Sequence, residues 1–485
     1  MDRMPPELHH QVCEYLSLAD LKNCRLVNKQ LKAISAVKLY RQLTFHASFA
    51  SVGRIHAVAA HPLLRQHVQS LVWDANMWAP ASDISSLRRF RRHVEKPVLP
   101  WDPPRGERIE QWLAEQLNID PAEKAKYQTE LDFETDRQYV QYRENIAEEY
   151  TVTKKRLIAS YLSPILARLC QLSEIKIVNG KFSILDGDII KSNLNDSYYG
   201  GEVLSRKGNA LLARGEGVWK EDLPTGLPAQ HAFETSLLLD SCKIKVLEVN
   251  HMHWKTFEPS ISFKACDNRG SSLFDTLTTL SMTLVTYSEH PEDSEDLDEI
   301  DIRQCRRAMK SGTLKLFIQG LQNLRDLRIL MPYESEEYCG AVNLSDVVPI
   351  NQTKLRKLSL EHFETSERDI LRLLISNCNL RNLSLRDMYL VPQGSWVRVF
   401  NAVREAIRIE SATFGGYMCD SVCEDDHVFL YDTGIEDGWN FDKGNPALSA
   451  ALEKYLIHGE ACPLHHNDKM AVKEGLLDPI VSVSD

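Results

Sequence analysis

The sequence has no long apolar run: no stretch of its 485 residues approaches the roughly 18 apolar residues needed for a membrane-spanning helix. It has no basic surplus either. Lys and Arg total 57 against 68 Asp and Glu, and the net charge of -11 excludes a general nucleic-acid or anionic-membrane binder. The eleven cysteines are scattered and odd in number, which argues against a disulfide framework and for a reducing compartment. The opening Met1-Asp2-Arg3-Met4-Pro5-Pro6-Glu7 holds no apolar stretch of signal-peptide length. Catalytic signatures are missing too: no phosphate-binding Gly-x-x-x-x-Gly-Lys, no nucleophile elbow, no His-Glu-x-x-His, no dinucleotide fingerprint. Arg214-Gly215-Glu216-Gly217 lacks a third glycine and reads as a turn. The expectation is an intracellular protein of cytoplasm or nucleus, not an enzyme, with no membrane, nucleic acid, metal or cofactor.

What is present is the composition of a folded chain, 43% apolar and 26% charged. Its length calls for two or three domains or one elongated array. The first forty residues read as three short helices. Pro5-Pro6-Glu7 suits a helix start, and Leu8, Val12, Tyr15 and Leu16 form one apolar stripe. Ser17 caps a second helix, with Asp20 near its N-terminus and Leu21 and Cys24 as its apolar contacts. Val27, Leu31 and Ile34 share one face of a third. Such a unit buries little surface and leaves apolar side chains in want of a partner. Spacing alone leaves open whether that partner is another protein or the chain's own body.

The string Met4-Pro5-Pro6-Glu7-Leu8, Tyr15-Leu16-Ser17-Leu18-Ala19-Asp20-Leu21, Cys24-Arg25-Leu26-Val27-Asn28-Lys29-Gln30-Leu31 resembles an F-box along its whole length. It departs from the family's pattern at Met4, where leucine is usual, and at Leu31, where an aromatic is common; both keep an apolar side chain. The resemblance implies a subunit of a cullin-based SCF ubiquitin ligase that binds a Skp-family adaptor and selects a protein substrate. It places Met4, Pro5, Leu8, Val12, Leu16, Leu21 and Val27 at or in support of the adaptor interface.

Beyond residue 65 an apolar-x-x-apolar-x-apolar pattern returns eight times, opening at Val68, Leu172, Ile244, Leu277, Leu324, Leu355, Leu380 and, frayed, at Ile409. Its last two apolar positions alternate as a half-buried strand requires, and helical stretches such as Glu367 to Asn377 fall between copies. In that helix Ile370, Leu371, Leu374 and Ile375 are assigned to the inner side. Strand, turn, helix, strand is the unit of a leucine-rich repeat. The spacings run from 25 to 104 residues, and the asparagine or cysteine usual after the strand is missing. The alternative is a non-repeating α/β domain in which leucines recur by chance.

The fold expected is therefore α/β: a three-helix F-box over residues 1–45, then an irregular leucine-rich-repeat-like solenoid of parallel strands and outer helices over 46–460, then a tail over 461–485. Within it, 86–170 reads as a charged, helix-rich insertion with Arg88, Arg89, Arg91 and Arg92 and a Tyr139, Tyr142, Ile146, Tyr150 stripe; 195–231 as a polar, Gly-containing excursion; 289–301 as an acidic, mobile loop. A helix near Pro446 to Ile457 is assigned to cover the open end of the array. Cys419, Cys423, Cys462, His465 and His466 have spacings that zinc tolerates, but the gap between the halves favours ordinary buried thiols. His251 and His253 read as exposed strand histidines. The outward strand positions Arg328, Lys357, Ser359, Asn382, Ser384 and Arg386 form a candidate substrate face, with the three cations expected in one patch for an acidic or phosphorylated segment. Two rivals stay open: a scaffold that binds the adaptor without delivering a substrate, and an enzyme with its site in 86–240.

Overall fold

The computed structural model describes residues 5–75, 157–178, 232–233, 236, 243–258, 275–285, 295–332, 342–391, 394–419, 437–441, 446–464 and 470–471. Three helices open the chain: α1 (Pro6–Tyr15), α2 (Leu18–Val27) and α3 (Lys29–Leu39). Each boundary has a local cause. Pro6 occupies the first turn of α1, where a missing N–H costs nothing. Ser17 Oγ accepts from Asp20 N at 3.2 Å to start α2. Asn28 ends that helix in extended backbone and caps α3 by accepting from Leu31 N at 2.7 Å. Val27 therefore closes α2 rather than joining the inner face of α3, and it stands 63% exposed.

The rest is a mixed α/β body. Its elements run β1 (Gln42–His46), α4 (Phe49–Ala60), β2 (Ser70–Asp74), α5 (Leu157–Leu166), β3 (Glu174–Val178), β4 (Val246–His253), β5 (Thr279–Val285), α6 (Glu295–Lys310), α7 (Thr313–Gly320) and β6 (Asp326–Leu330). They continue with β7 (Val342–Asn343), α8 (Leu344–Val347), β8 (Lys357–Thr365), α9 (Glu367–Ser376), β9 (Asn382–Leu390), α10 (Trp396–Ala406), β10 (Ser411–Cys419), β11 (Asp437–Asn440), α11 (Pro446–His458) and β12 (Met470–Ala471). The strands make one sheet in the order β1-β2-β3-β4-β5-β6-β8-β9-β10-β11-β12, with β7 beside β8; pairing is parallel as far as β10 and antiparallel beyond.

All eight copies of the apolar pattern lie in this sheet and in register. Leu71, Ile175, Leu247, Leu280, Leu327, Leu358, Leu383 and Ala412 form one row across the strands; Trp73, Ile177, Val249, Met282, Ile329, Leu360, Leu385 and Phe414 form the next. Both rows are buried and belong to the main core. A ninth copy precedes them. Tyr40-x-x-Leu43-x-Phe45 sits within the segment read as F-box, yet Leu43 pairs beside Leu71 and Phe45 beside Trp73, their rings 4.9 Å apart and edge to face.

Strand entry is fixed by a repeated hydrogen bond. The carbonyls of Arg41, Gln69, Ser173, Lys245, Thr278, Arg325, Arg356 and Arg381, each just before a strand, accept two successive N–H groups from the next strand's start, at 2.6–3.2 Å. Buried amides brace two of the helix-to-strand corners. Gln352 Nε2 donates to Ile318 O at 3.0 Å, and Asn377 Nδ2 to Leu373 O at 2.6 Å and Ile350 O at 3.1 Å. At the far end α11 does cover the last parallel strand: Ala412 N and Phe414 N donate to Glu453 Oε1 and Ser449 Oγ at 3.2 and 3.1 Å, satisfying edge donors with side chains.

Some expectations are corrected. Helix α9 begins where expected, with Ser366 accepting from Asp369 N at 3.0 Å, but it buries Ile370, Leu373 and Leu374 while Ile375 is 42% exposed. Half of the acidic stretch is not loop, because α6 starts at Glu295. His253 is fully buried rather than exposed, covered by the buried Trp254 ring at a centroid distance of 5.3 Å; its Nδ1 accepts from Lys255 N at 3.1 Å. The arginines at 88–92, the tyrosine stripe at 139–150, the excursion at 195–231, residues 289–294 and the side chain of His251 lie outside the described residues, as does most of the tail.

Two consequences are measurable. Asn377→Leu leaves two buried carbonyls without their donor and should cost about 1–3 kcal/mol in a urea titration. Burial, helped by a neighbouring cation in each case (Arg54, Lys255, Arg386), lowers His46 to about 2, His253 to about 3 and His362 to about 4. Unfolded imidazoles protonate near pH 6.5 and these do not, so their contribution is complete above pH 6.5 and is lost as pH falls towards the folded values. The unfolding free energy from urea titration should fall from pH 6.5 to 5 by up to about 1.4 kcal/mol per pH unit per histidine, and His253→Gln should flatten the fall.

Candidate functional site

The N-terminal helices close a small core of their own around Cys13, Leu21 and Ile34, with Leu16 and Leu39 half-buried against it, separate from the main core. Lys38 ties α3 to the end of α1: its Nζ donates to Cys13 O at 2.8 Å and to Glu14 O, where a cation complements the helix C-terminus. Arg25 ties α2 to the end of α3: its guanidinium lies 5.6 Å from the Tyr40 ring centroid and donates to Tyr40 Oη at 3.4 Å. With so few buried side chains the bundle is marginal by itself.

Helix α1 is apolar on both sides. Its inner side carries His9 and Cys13, 4% and 3% exposed, with Leu16 just beyond its end. Its outer side carries Leu8, Val12 and Tyr15 at i, i+4 and i+7, exposed by 45%, 49% and 91%. Leu26 and Val27 at the end of α2 are also open, at 86% and 63%. Half of the ten exposed large apolar side chains among the described residues thus fall between residues 8 and 27. That concentration makes this the candidate docking face.

Residues 1–46 match the family described as F-box-like. The chain carries an F-box-like domain at its N-terminus, and such domains generally bind Skp-family adaptors. No curated protein matches the chain. Of the residues assigned to adaptor contact, Pro5, Leu8, Val12 and Val27 are exposed on this domain, and Leu16 is half-buried. Leu21 is 0% exposed, so it cannot touch a partner; it is the centre of the domain's own core. Met4 lies outside the described residues. Tyr15 and Leu26 belong with the exposed set; alternation with the buried positions is the signal that could have found them.

The strand face differs from the expected single patch. Lys357 stands level with Asp326 and Asn382, Arg328 with Ser359 and Ser384, and Arg386 with Glu361, so the three cations occupy successive levels about 7 Å apart along the strands. Arg386 is also committed within the chain: its Nε lies 3.3 Å from Glu361 Oε1 and 3.4 Å from Asp387 Oδ2. His362 completes that cluster, with Nε2 3.6 Å from Glu361 and Nδ1 3.9 Å from Asp387. His362 and Asp387 both take positive φ, at 61° and 49°, and Tyr417 N donates to Asp387 Oδ1 at 2.7 Å. Gly416, also at positive φ, is required here, because any Cβ would fall 2.0 Å from that oxygen.

Glu361, His362 and Asp387 could hold a metal ion by proximity, their ligand atoms lying within 4.8 Å of one another. Arg386 already supplies the positive charge between the two carboxylates, and the arrangement works as a partly exposed ionic brace across β8, β9 and β10. Of the zinc candidates, Cys419 is buried beside Tyr389 and its carbonyl accepts from Trp396 Nε1 at 3.0 Å, while Cys462 packs on the main core. Cys423, His465 and His466 lie outside the described residues. Among the described residues no helix is long and apolar enough to cross a membrane.

The split between core and surface on the N-terminal domain can be measured. Leu21→Ala should destabilise that domain by about 2–5 kcal/mol and raise proteolysis within residues 1–40, with little change in protection of the sheet by hydrogen exchange.

Proposed function

We propose that this chain is the substrate-receptor subunit of an SCF-type ubiquitin ligase. The F-box-like domain docks a Skp-family adaptor and, through it, a cullin, while the body holds a protein target. The observation that carries this reading is the Leu8–Val12–Tyr15 face, left open on a domain whose own core is already closed by Cys13, Leu21 and Ile34. Covering the half of Leu8 and Val12 still in water contributes on the order of 1 kcal/mol each, and Tyr15 adds an amphipathic anchor of the kind that dominates interfaces.

The body fits the second half of the reading. Nine apolar pairs in register, helices between strands and an end-covering α11 are what an irregular leucine-rich-repeat-like solenoid needs, and they support assigning the sheet to that class. On this reading the chain is not an enzyme. It works by proximity, raising the effective concentration of a target near a charged ubiquitin-conjugating enzyme, and the bond-making groups belong to its partners.

Leu8→Asp with Val12→Asp puts two charges on the docking face without entering the core. The variant should keep the wild-type melting temperature, lose co-purification of the adaptor and cullin, and accumulate its target in cells. Adaptor capture at the wild-type level would refute the assignment.

A further inference from the structure

The strand-entry ladder brings together side chains that are far apart in sequence. Arg325, Arg356 and Arg381 occupy the same position before β6, β8 and β9, each carbonyl receiving the N–H pair of the next strand. Adjacent strands are about 4.8 Å apart, so the three arginines form a row spanning about 10 Å across the sheet, with Lys357 beside Arg356. They line one groove of about 620 Å³ at the entry rim, together with Asp326 and Glu410. Four cations thus face two acids, on a chain whose net charge is -11.

Only part of this charge is used internally. Arg381 lies 3.6 Å from Glu410 and donates to the carbonyls of Leu380 and Cys378. Arg325, Arg356 and Lys357 are exposed and form no ion pair with any described residue. The backbone beneath them is tied laterally: Asn323 Nδ2 donates to Asp275 O at 2.6 Å, Lys354 Nζ to Asn323 Oδ1 at 2.6 Å, and Asn379 Nδ2 to Thr353 O at 2.7 Å. Like charges held side by side on one rim repel one another, and a bound anion relieves that repulsion.

We propose that this groove is the target-binding site and takes an extended acidic peptide, rich in Asp and Glu, running across the strand entries. The inference rests on the receptor reading above and deepens it by naming the class of target segment. A row suits successive carboxylates better than a single dianion, which would engage two neighbouring cations and leave the others unpaired. It also moves the candidate face from the middle of the strands, where Arg386 is internally paired, to their entry rim.

The test is fluorescence anisotropy with the full chain, purified after co-expression with a Skp-family adaptor and, in parallel, without it. The probes are labelled short peptides of alternating Glu and Ser, the same with Gln for Glu, and the Gln peptide with one phosphoserine. The Glu peptide should bind, weaken as salt rises, and lose about tenfold or more in affinity on Arg325→Glu with Arg356→Glu. Arg325→Gln with Arg356→Gln should give a smaller loss in the same direction, and Arg368→Glu with Arg372→Glu, the same charge change on α9, should give none. Binding that survives the Arg325 and Arg356 reversals at an unchanged melting temperature overturns the proposal. So does a Glu peptide no better than its Gln counterpart, or binding by the phosphoserine peptide alone. Adaptor co-purification on the same samples separates the two readings: its absence from wild type removes the receptor assignment and leaves the anion measurement standing.

Discussion

The fold depends on one repeated contact, the carbonyl before each strand accepting two N–H groups from the start of the next. That pair of bonds fixes where a strand may begin relative to its neighbour, and a parallel sheet has no hairpin turn to do so. Once entry is fixed, the two apolar positions of each copy fall level with those of the next. The buried rows from Leu43 and Phe45 to Ala412 and Phe414 follow from it. Inserting tens of residues between strands does not disturb this, because loop length enters closure entropy only logarithmically. A sheet whose successive copies are separated by 25 to 104 residues can therefore keep a single register.

The N-terminal domain obeys a different constraint. It has too few buried side chains to be robust, and its outermost apolar residues are not spare core but a second face. His9 adds to the marginality, since its buried ring nitrogens make no hydrogen bond with any described residue. A domain of this kind gains more from a partner than a saturated one would, because docking removes apolar surface from water and stiffens helices held by few internal contacts. Leu21 supports that exposed face from beneath while never reaching it.

How much of this the sequence reveals depends on whether a feature is periodic. Strand rows were legible because Leu-x-x-Leu-x-Leu repeats within each copy, and α9 because Ser366 and the apolar residues after it obey helical spacing. Tyr40, Leu43 and Phe45 obey the same strand rule but were hidden by lying beside a stronger helical pattern. Asn377 and Gln352 were hidden because a single buried amide leaves no periodic trace. The Glu361–His362–Arg386–Asp387 cluster could not be read at all: it exists only because two strands break regular backbone at His362 and Asp387, which alternation cannot foresee. Arg386 does point outward as parity requires; what parity could not show is that Glu361, its partner across the strand pair, binds it sideways.

The charge on the entry rim shows what a register-locked sheet does to sequence distance. Arg325, Arg356 and Arg381 are separated by 31 and 25 residues, and no local pattern links them. The carbonyl ladder alone makes them neighbours, since each occupies the one position per copy whose backbone is pinned to both adjoining strands. Two hydrogen bonds fix the backbone from which each of these side chains starts, whereas Arg386 in mid-strand is drawn into a lateral ion pair. Of the three entry arginines, Arg325 and Arg356 stay outside any ion pair with a described residue, while Arg381 meets Glu410 at 3.6 Å.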